Sequence, residues 1–554
     1  MNDVVKNTQH LYNLVELCAR SGVSKAVVCS GSRCAPLLLG FGKHPEIETI
    51  SVVDERSAAF IAVGLSQQRC EPVVVVSTSG SAALNFAPAI AEAYYQNVQL
   101  IVMTADRPPK LIDQWDGQTI RQTDMYANHI QASLTYTIDS QFQAAGLLQR
   151  RGPVHFNIPI DEPFYPESLD EIKFEQLPME SEVELGAVDD LVWSELKTVL
   201  DHSEGLMILG GQLEPSPELC DLLDDIGIPV VADVASNLQR MPNCFGSADV
   251  KSSPDFLITI GRSIVSKKLR LFLRENKPKI HWHIGRGLVG DPFESLTKTI
   301  AVDPELFFGE FAKRLKLRVE GNRPGEQLYG DFHGNRSSAC ASSGHDMGEQ
   351  LCGGLGTNKI MGEVSDEFCS YGAVNKVLPQ LPENSVLHLG NSMSVRYAEL
   401  LGIMGRRIDV WSNRGTSGID GIVSAAVGHA LGCSDKKHTL IVGDLSFFYD
   451  RNGLWLNHEF PSNLRIIILN DSGGGIFNMI DGPTAQGDLT KLFTMPHNRS
   501  AELTAKEFGL KYMKADSYLA LAVALESFEA GILEIFTSMS VDRGIYKQLQ
   551  KERV

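Results

Sequence analysis

The chain has 554 residues, enough at about 100 to 200 residues per domain for three or four domains. Apolar residues make up 43% and charged residues 21%, with Gly 49 and Pro 25 near ordinary usage, which excludes disorder as the main state. Asp and Glu total 68 against 50 Lys and Arg, a formal net charge of -18 that disfavours nucleic acid or anionic membrane as a partner. Any small anionic substrate must then be met by a local group of basic side chains.

The first residues, MNDVVKNTQHLYNLVELCARSG, mix charges with apolar positions and read as a helix, not as a cleavable leader. Four Val- and Ile-rich runs follow, AVVCSGSR, TISVVDER, VVVVSTSGS and LIVMTADRP, each ending in a polar or Gly-containing tip. Their tips at Gly31, Glu55, Gly80 and Asp106 are 24, 25 and 26 residues apart, one strand plus one crossover helix per step. Residues 162–190, acidic and Pro-containing, read as a linker. GLMILGG, IPVVADVAS, DFLITIGRS and IHWHIG predict a smaller parallel sheet between about 186 and 317. Residues 318–365, rich in Gly, Ser and polar side chains, read as a long connection.

The last third repeats the opening rhythm in VLHLGNS, IDVWSNRG, LIVGDLS and IIILNDSGG. Its tips at Gly390, Asn413, Gly443 and Asp471 are 23, 30 and 28 residues apart. The expected fold is therefore α/β, with three doubly wound parallel-sheet domains over 1–185, 186–345 and 346–554, the first and third resembling each other. Ligands should gather at the carboxyl ends of the strands, where all eight tips fall. No uncharged apolar run of about 18 residues occurs, and the ten cysteines form no C-x-x-C pair, so a cytoplasmic protein with free thiols is expected.

The strongest local signal is IVGDLSFFYDRNGLWLNHEFPSNLRIIILNDSGGGIF. One strand delivers Gly443 and Asp444; a second, 27 residues on, delivers Asn470, Asp471 and then Gly473, Gly474 and Gly475. Two carboxylates beside a Gly-rich turn suit a hard divalent cation that also grips phosphate, Mg2+ or Mn2+ in its place. Two solvated strand-end aspartates are the competing reading. Glu55 lies between an apolar strand and an apolar helix, where desolvation would raise its pKa; the alternative is a helix first-turn carboxylate. GLMILGG also prompts a dinucleotide-binding reading, although no G-x-G-x-x-G follows it.

A GD followed by ND after about 27 residues resembles the diphosphate-binding motif of thiamine diphosphate enzymes. SGSRCAP at 30–36, TADRPPKLIDQWDGQTIRQ at 104–122, GNSMSVR at 390–396 and SNRGTSGIDG at 412–421 are similar to the carboligases of menaquinone biosynthesis within that family. The resemblance runs from about residue 8 to 545 and weakens in the middle domain and across 318–365. It implies a pyrimidine-binding first domain, a diphosphate-binding third domain and a homodimer or homotetramer with thiamine diphosphate between chains. It implies decarboxylation of 2-oxoglutarate and 1,4-addition of the resulting carbanion equivalent to isochorismate, whose enolpyruvyl group is retained.

By that resemblance Asp444, Asp471 and the carbonyl of Gly473 hold the metal. Glu55 hydrogen-bonds the aminopyrimidine N1', favouring the imino form whose N4' removes the thiazolium C2 proton. Gly80, Asp444, Ile419, Ile476 and Phe477 complete the cofactor site, Ile419 propping its bent form. Ser32, Arg33, Arg107, Gln118, Lys267, Lys268, Ser392, Arg396 and Arg414 meet the substrates, whose four carboxylates favour arginine forks. Two departures affect substrate placement. Asp116 and Gly117 stand where the family commonly has Ala-Asn, and Lys268 stands where relatives often carry Arg. The nearest rival is another thiamine diphosphate carboligase or decarboxylase, such as a pyruvate-using synthase.

Overall fold

Each Val- and Ile-rich run becomes a parallel strand, buried on both faces except at the sheet edges such as TISVVDER, and the crossover helices cover the sheets. The computed structural model describes residues 3–178, 188–321 and 367–552, apart from Glu204, Pro242, Asn243, Ala248, Met404, Asn457 and Ile480. The first sheet contains β1 (Lys25–Val28), β2 (Glu48–Ser51), β3 (Val73–Ser77), β4 (Leu100–Asp106), β5 (Ala132–Thr135) and β6 (Val154–Pro159), in the order β2-β1-β3-β4-β6-β5. The third contains β13 (Ser385–Leu389), β14 (Ile408–Trp411), β15 (His438–Gly443), β16 (Leu464–Asn470), β17 (Tyr512–Ala515) and β18 (Gly531–Phe536), in the order β14-β13-β15-β16-β18-β17. Renumbered from its own start, the third order is identical to the first. The duplication expected from tip spacing is thus a duplication of topology.

Between them lie β7 (Leu206–Gly210), β8 (Val230–Ala232), β9 (Phe245–Gly246), β10 (Phe256–Ile260), β11 (Ile280–Ile284) and β12 (Lys298–Ile300), ordered β12-β11-β10-β7-β8-β9. That is the strand order of dinucleotide-binding sheets, but the first turn is not free to hold a pyrophosphate. A Cβ on Gly211 would fall 2.4 Å from the Arg262 carbonyl. The Gln212 side chain donates to Gln96 Oε1 of the first domain (2.9 Å) and to the Ser412 carbonyl of the third (2.7 Å). The turn joins domains instead. Most of the 162–190 segment is irregular, and its residues 179–187 lie outside the described residues, as do residues 322–365 of the expected connection; residues 318–321 close the helix Pro304–Gly321.

The first and third domains share one apolar core. Helix Glu55–Arg69 packs against helix Ile422–Gly432 so closely that each needs glycine at the crossing. A Cβ on Gly64 would lie 2.1 Å from the Ala425 carbonyl, and one on Gly428 2.1 Å from that of Ile61. The start of the first helix is tied down by Asp54 to Asn452 (2.8 Å) and by Arg56 to the Tyr449 carbonyl (2.8 Å).

Candidate active site

Strands β15 and β16 are neighbours with Gly443 opposite Leu469, which sets Asp444 and Asp471 at adjacent strand ends. Asp444 opens the helix Asp444–Asp450 and is buried; Asp471 is half-buried. Desolvation pushes the Asp444 carboxyl up to about 7 against the pull of the Leu445 and Gly473 N–H groups, which donate to it at 2.6 and 2.9 Å. Desolvation and then the charge of Asp444 push Asp471 up to about 8. Two carboxylates that resist ionising together are what a divalent cation would relieve. His497 Nε2 lies 3.3 Å from Asp444 Oδ2 but out of line for a hydrogen bond.

The turn after β16 is built around these oxygens. A Cβ at Gly475 would fall 1.8 Å from Asp471 Oδ2, and Gly473 sits at φ +152. Among the described residues no three His, Cys, Asp or Glu side chains gather as a metal cage. Two carboxylates and a carbonyl would leave positions for phosphate oxygens, so the donors fit Mg2+ on a diphosphate.

Glu55 is the first residue of its helix, capped by Asp54, whose side chain accepts from Ser57 N at 3.2 Å. It is only half-buried, so one chain alone supplies less apolar cover than its sequence neighbours suggest. The first helix turn lies against residues 449–452, which continue from the helix that Asp444 begins. Ile419 and Phe477 are 37% and 36% exposed, too open for core packing, while Ile476 is half-buried. Gly80 holds φ +84, and its N–H donates to Gln122 Oε1 at 2.9 Å; a Cβ there would lie 3.1 Å from the Gln118 carbonyl.

The expected basic residues form two groups. In the first domain Arg33 is buried, its Nη1 donating to the Ile160 carbonyl, and its guanidinium stands 5.0 Å over the Phe164 ring. Burial and then the neighbouring Arg107 lower its pKa. Arg107 pairs with Asp116 at 2.7 Å and reaches Ser79 Oγ at 3.4 Å. Ser32 and Gln118 are exposed beside them. The aspartate flagged as a departure therefore takes the arginine expected for substrate.

In the third domain Ser392 caps the helix Met393–Leu401 at φ 74, a left-handed backbone that serine rarely adopts and that costs on the order of 1 to 3 kcal/mol. Arg396 Nη1 donates to the Ser392 carbonyl, and Arg414 Nη1 donates to Asn391 Oδ1 at 3.1 Å. Burial lowers both guanidinium pKa values. Lys267 and Lys268 are exposed at the start of the helix Lys267–Glu275.

Three residues of this neighbourhood carried no sequence signal strong enough to single them out. Asn391 donates to the carbonyls of Asn413 (2.8 Å) and Gly418 (2.7 Å), fixing the loop that carries Arg414 and Ile419; its place at a strand tip could have marked it. Glu92, from the first domain, accepts from Gly415 N, Thr416 N and Thr416 Oγ1 of the same loop. Nothing in AEAYYQ distinguishes it from a surface glutamate. Arg270 lies one turn beyond Lys267.

Comparison with known proteins shows the family and the fold. Residues 12–126 match the family described as "Thiamine pyrophosphate enzyme, N-terminal TPP binding domain". The chain is 38% identical to the 2-succinyl-5-enolpyruvyl-6-hydroxy-3-cyclohexene-1-carboxylate synthase of Cytophaga hutchinsonii, covering 98% of each sequence. It is 35% identical to that of Flavobacterium johnsoniae, again over 98% of each. It is 33% identical to that of Bacteroides thetaiotaomicron, over 97% of this chain and 98% of the relative. The fold is also that of a benzoylformate decarboxylase from Polynucleobacter necessarius, at a TM-score of 0.72 and 15% identity over 95% of this chain and 98% of the other. Among the described residues no helix is long and apolar enough to cross a membrane. The chain belongs to the 2-succinyl-5-enolpyruvyl-6-hydroxy-3-cyclohexene-1-carboxylate synthase family of thiamine diphosphate enzymes.

Proposed function

We propose that the protein decarboxylates 2-oxoglutarate and adds the resulting succinyl-semialdehyde carbanion equivalent to isochorismate in a 1,4-addition, releasing CO2. The observation that carries this reading is an aspartate pair at adjacent strand ends, pushed up by desolvation, in a chain of net charge -18 that also gathers Arg33 with Arg107 and Arg396 with Arg414. Small polycarboxylates explain why forks are concentrated there. Thiamine diphosphate, when bound, supplies an acidic thiazolium C–H and an electron sink for the decarboxylation.

The protein's part is positioning and proton control. Asp444, Asp471 and the Gly473 carbonyl would hold Mg2+ against the diphosphate, Mn2+ being an alternative of similar chemistry. Glu55 would hold a proton at the pyrimidine N1'. Arg33 and Arg107, with Ser32 and Gln118, would orient one substrate, and Arg396 and Arg414, with Ser392, the other; Lys267 and Lys268 would lend charge at the entrance. Exposed Ile419 and Phe477 would be covered by cofactor and a second chain, which makes a homodimer the smallest complete enzyme and a homotetramer a natural extension.

The test is product formation from 2-oxoglutarate and isochorismate, with and without thiamine diphosphate and Mg2+. Turnover of 2-oxoglutarate indifferent to isochorismate would assign a different carboligase or decarboxylase. Glu55→Gln should retain cofactor binding and lose nearly all turnover; unchanged turnover removes Glu55 from its role.

A further inference from the structure

One more fork reaches the second arginine group. The helix Lys267–Glu275 begins at Ser266, whose side chain caps Leu269 N at 3.2 Å, and its start is anchored to the third domain. Asp233 accepts from Val265 N at 2.6 Å, Val234 N donates to Glu399 Oε2 at 2.6 Å, and Val234 and Val265 join the apolar cluster of Tyr397, Ala398 and Ile403. Glu399 lies on the helix that carries Arg396. The register of the two helices is therefore fixed from both sides.

At that register Lys267 and Lys268 face outward, and Arg270, one turn on, is half-buried. Its Nε is shielded from solvent and has no hydrogen-bond partner, as has that of Arg414. The Arg270 charge bears on both Arg396 and Arg414 and lowers their pKa values. Among the described residues none of the three guanidiniums makes an ion pair, whereas Arg107 has Asp116. The carboxylates that bear on the group are Asp233 and, more weakly, Glu92; Asp233 spends its oxygens on backbone N–H groups, and Glu92 spends its own on backbone N–H groups, the Thr416 hydroxyl and the Gln96 amide. Three cations held together without a paired anion repel one another unless a ligand supplies the charge.

We propose that Arg270 completes, with Arg396 and Arg414, a three-fork site for a substrate carboxylate. This rests on the carboligase reading above and adds to it a specificity-determining residue from the central domain. Both substrates are dicarboxylates, so the site's chemistry is common to them and kinetics must say which one it serves. A guanidinium at 270 can offer two parallel N–H bonds where a lysine offers one point charge.

The experiment uses the full chain loaded with thiamine diphosphate and Mg2+. Succinate, an unreactive dicarboxylate, is titrated calorimetrically into wild type, Arg270→Lys and Arg270→Gln. Loss of a charge-assisted hydrogen-bonding partner should weaken succinate binding by about 10- to 100-fold in Arg270→Gln, with Arg270→Lys between. Thiamine diphosphate affinity and melting temperature should stay at wild-type values. In turnover, KM should rise for either 2-oxoglutarate or isochorismate while kcat changes by less than about threefold, and the affected substrate is the one the site holds. Succinate binding and both KM values unchanged in Arg270→Gln would overturn the assignment, as would a parallel loss of cofactor affinity and melting temperature in both variants. Wild-type protein that never couples the two substrates, yet binds succinate through Arg270, would overturn the reaction and leave the anion site standing.

Discussion

Glu92→Gln tests whether one domain positions the substrate-binding loop of another. Glu92 is fully buried on the helix Ala87–Gln96, and its oxygens accept from Gly415 N at 2.8 Å, Thr416 N at 2.6 Å and Thr416 Oγ1 at 2.6 Å, with Gln96 Nε2 also donating. Glutamine keeps the volume but turns one acceptor into a donor. The Thr416 hydroxyl can rotate to accept from the new amide, which leaves one backbone N–H facing another donor. An unsatisfied buried donor costs about 1 to 3 kcal/mol, and the surviving bonds lose their charge assistance, so a total of about 3 kcal/mol is expected. For a cooperative unit of about 150 to 250 residues that is a fall of about 6 to 12 °C in Tm. Because the loop carries Arg414, KM for a carboxylate substrate should rise more than kcat falls. Glu92→Ala, which strands all four donors, should be worse on both measures. Unchanged melting and unchanged KM in Glu92→Gln would refute the idea that the first domain holds this loop.

Asp116→Asn removes the carboxylate that pairs with Arg107, a partly exposed bridge worth about 1 kcal/mol, so steady-state kinetics should show KM for one substrate falling about fivefold; no fall would mean that Arg107 does not bind substrate. His281 and His283, which share Thr259 Oγ1 at 2.9 and 3.0 Å, are each lowered by burial to about 4. Their folded pKa lies below the unfolded value of about 6.5, so the stability they contribute is complete above that pH and is lost as pH falls toward 4, by about 2 kcal/mol each at pH 5. Urea midpoints of the central domain should fall accordingly between pH 7.5 and 5, and a His281→Gln, His283→Gln double variant should flatten that dependence; equal slopes would remove these histidines as its source.

The parts of the fold that could be read from sequence are those where burial on both faces writes itself as a Val and Ile run. Strands β3 and β4 are of that kind, and all eight expected tips lie at or within four residues after the carboxyl ends of strands. The edge strands β5, β9, β12 and β17 were missed because two to four residues such as FG, KTI or ASLT, covered on one side only, need no apolar run. Strands β6 and β18 were missed because polar residues interrupt them: Asn157 bonds Asp106, and Glu534 bonds Asn470. The order of the central sheet could not be read at all, since strand order is a property of crossovers and not of strands.

The site divides the same way. The placement of Asp444, Asp471 and the arginines near strand ends was legible because a tip position is set locally by the run before it. Glu92 and Arg270 act across domain boundaries, so their meaning depends on packing between helices distant in sequence. Charge then becomes informative in a way composition alone is not. With 68 acidic side chains in the chain, several described arginines find a carboxylate, as Arg107, Arg151, Arg314 and Arg406 do. Arg270, Arg396 and Arg414 are half-buried and without an ion pair among the described residues, although their burial makes a missing partner costly. It is the clustering of three such guanidiniums, and not a missing partner alone, that marks a place for an outside anion.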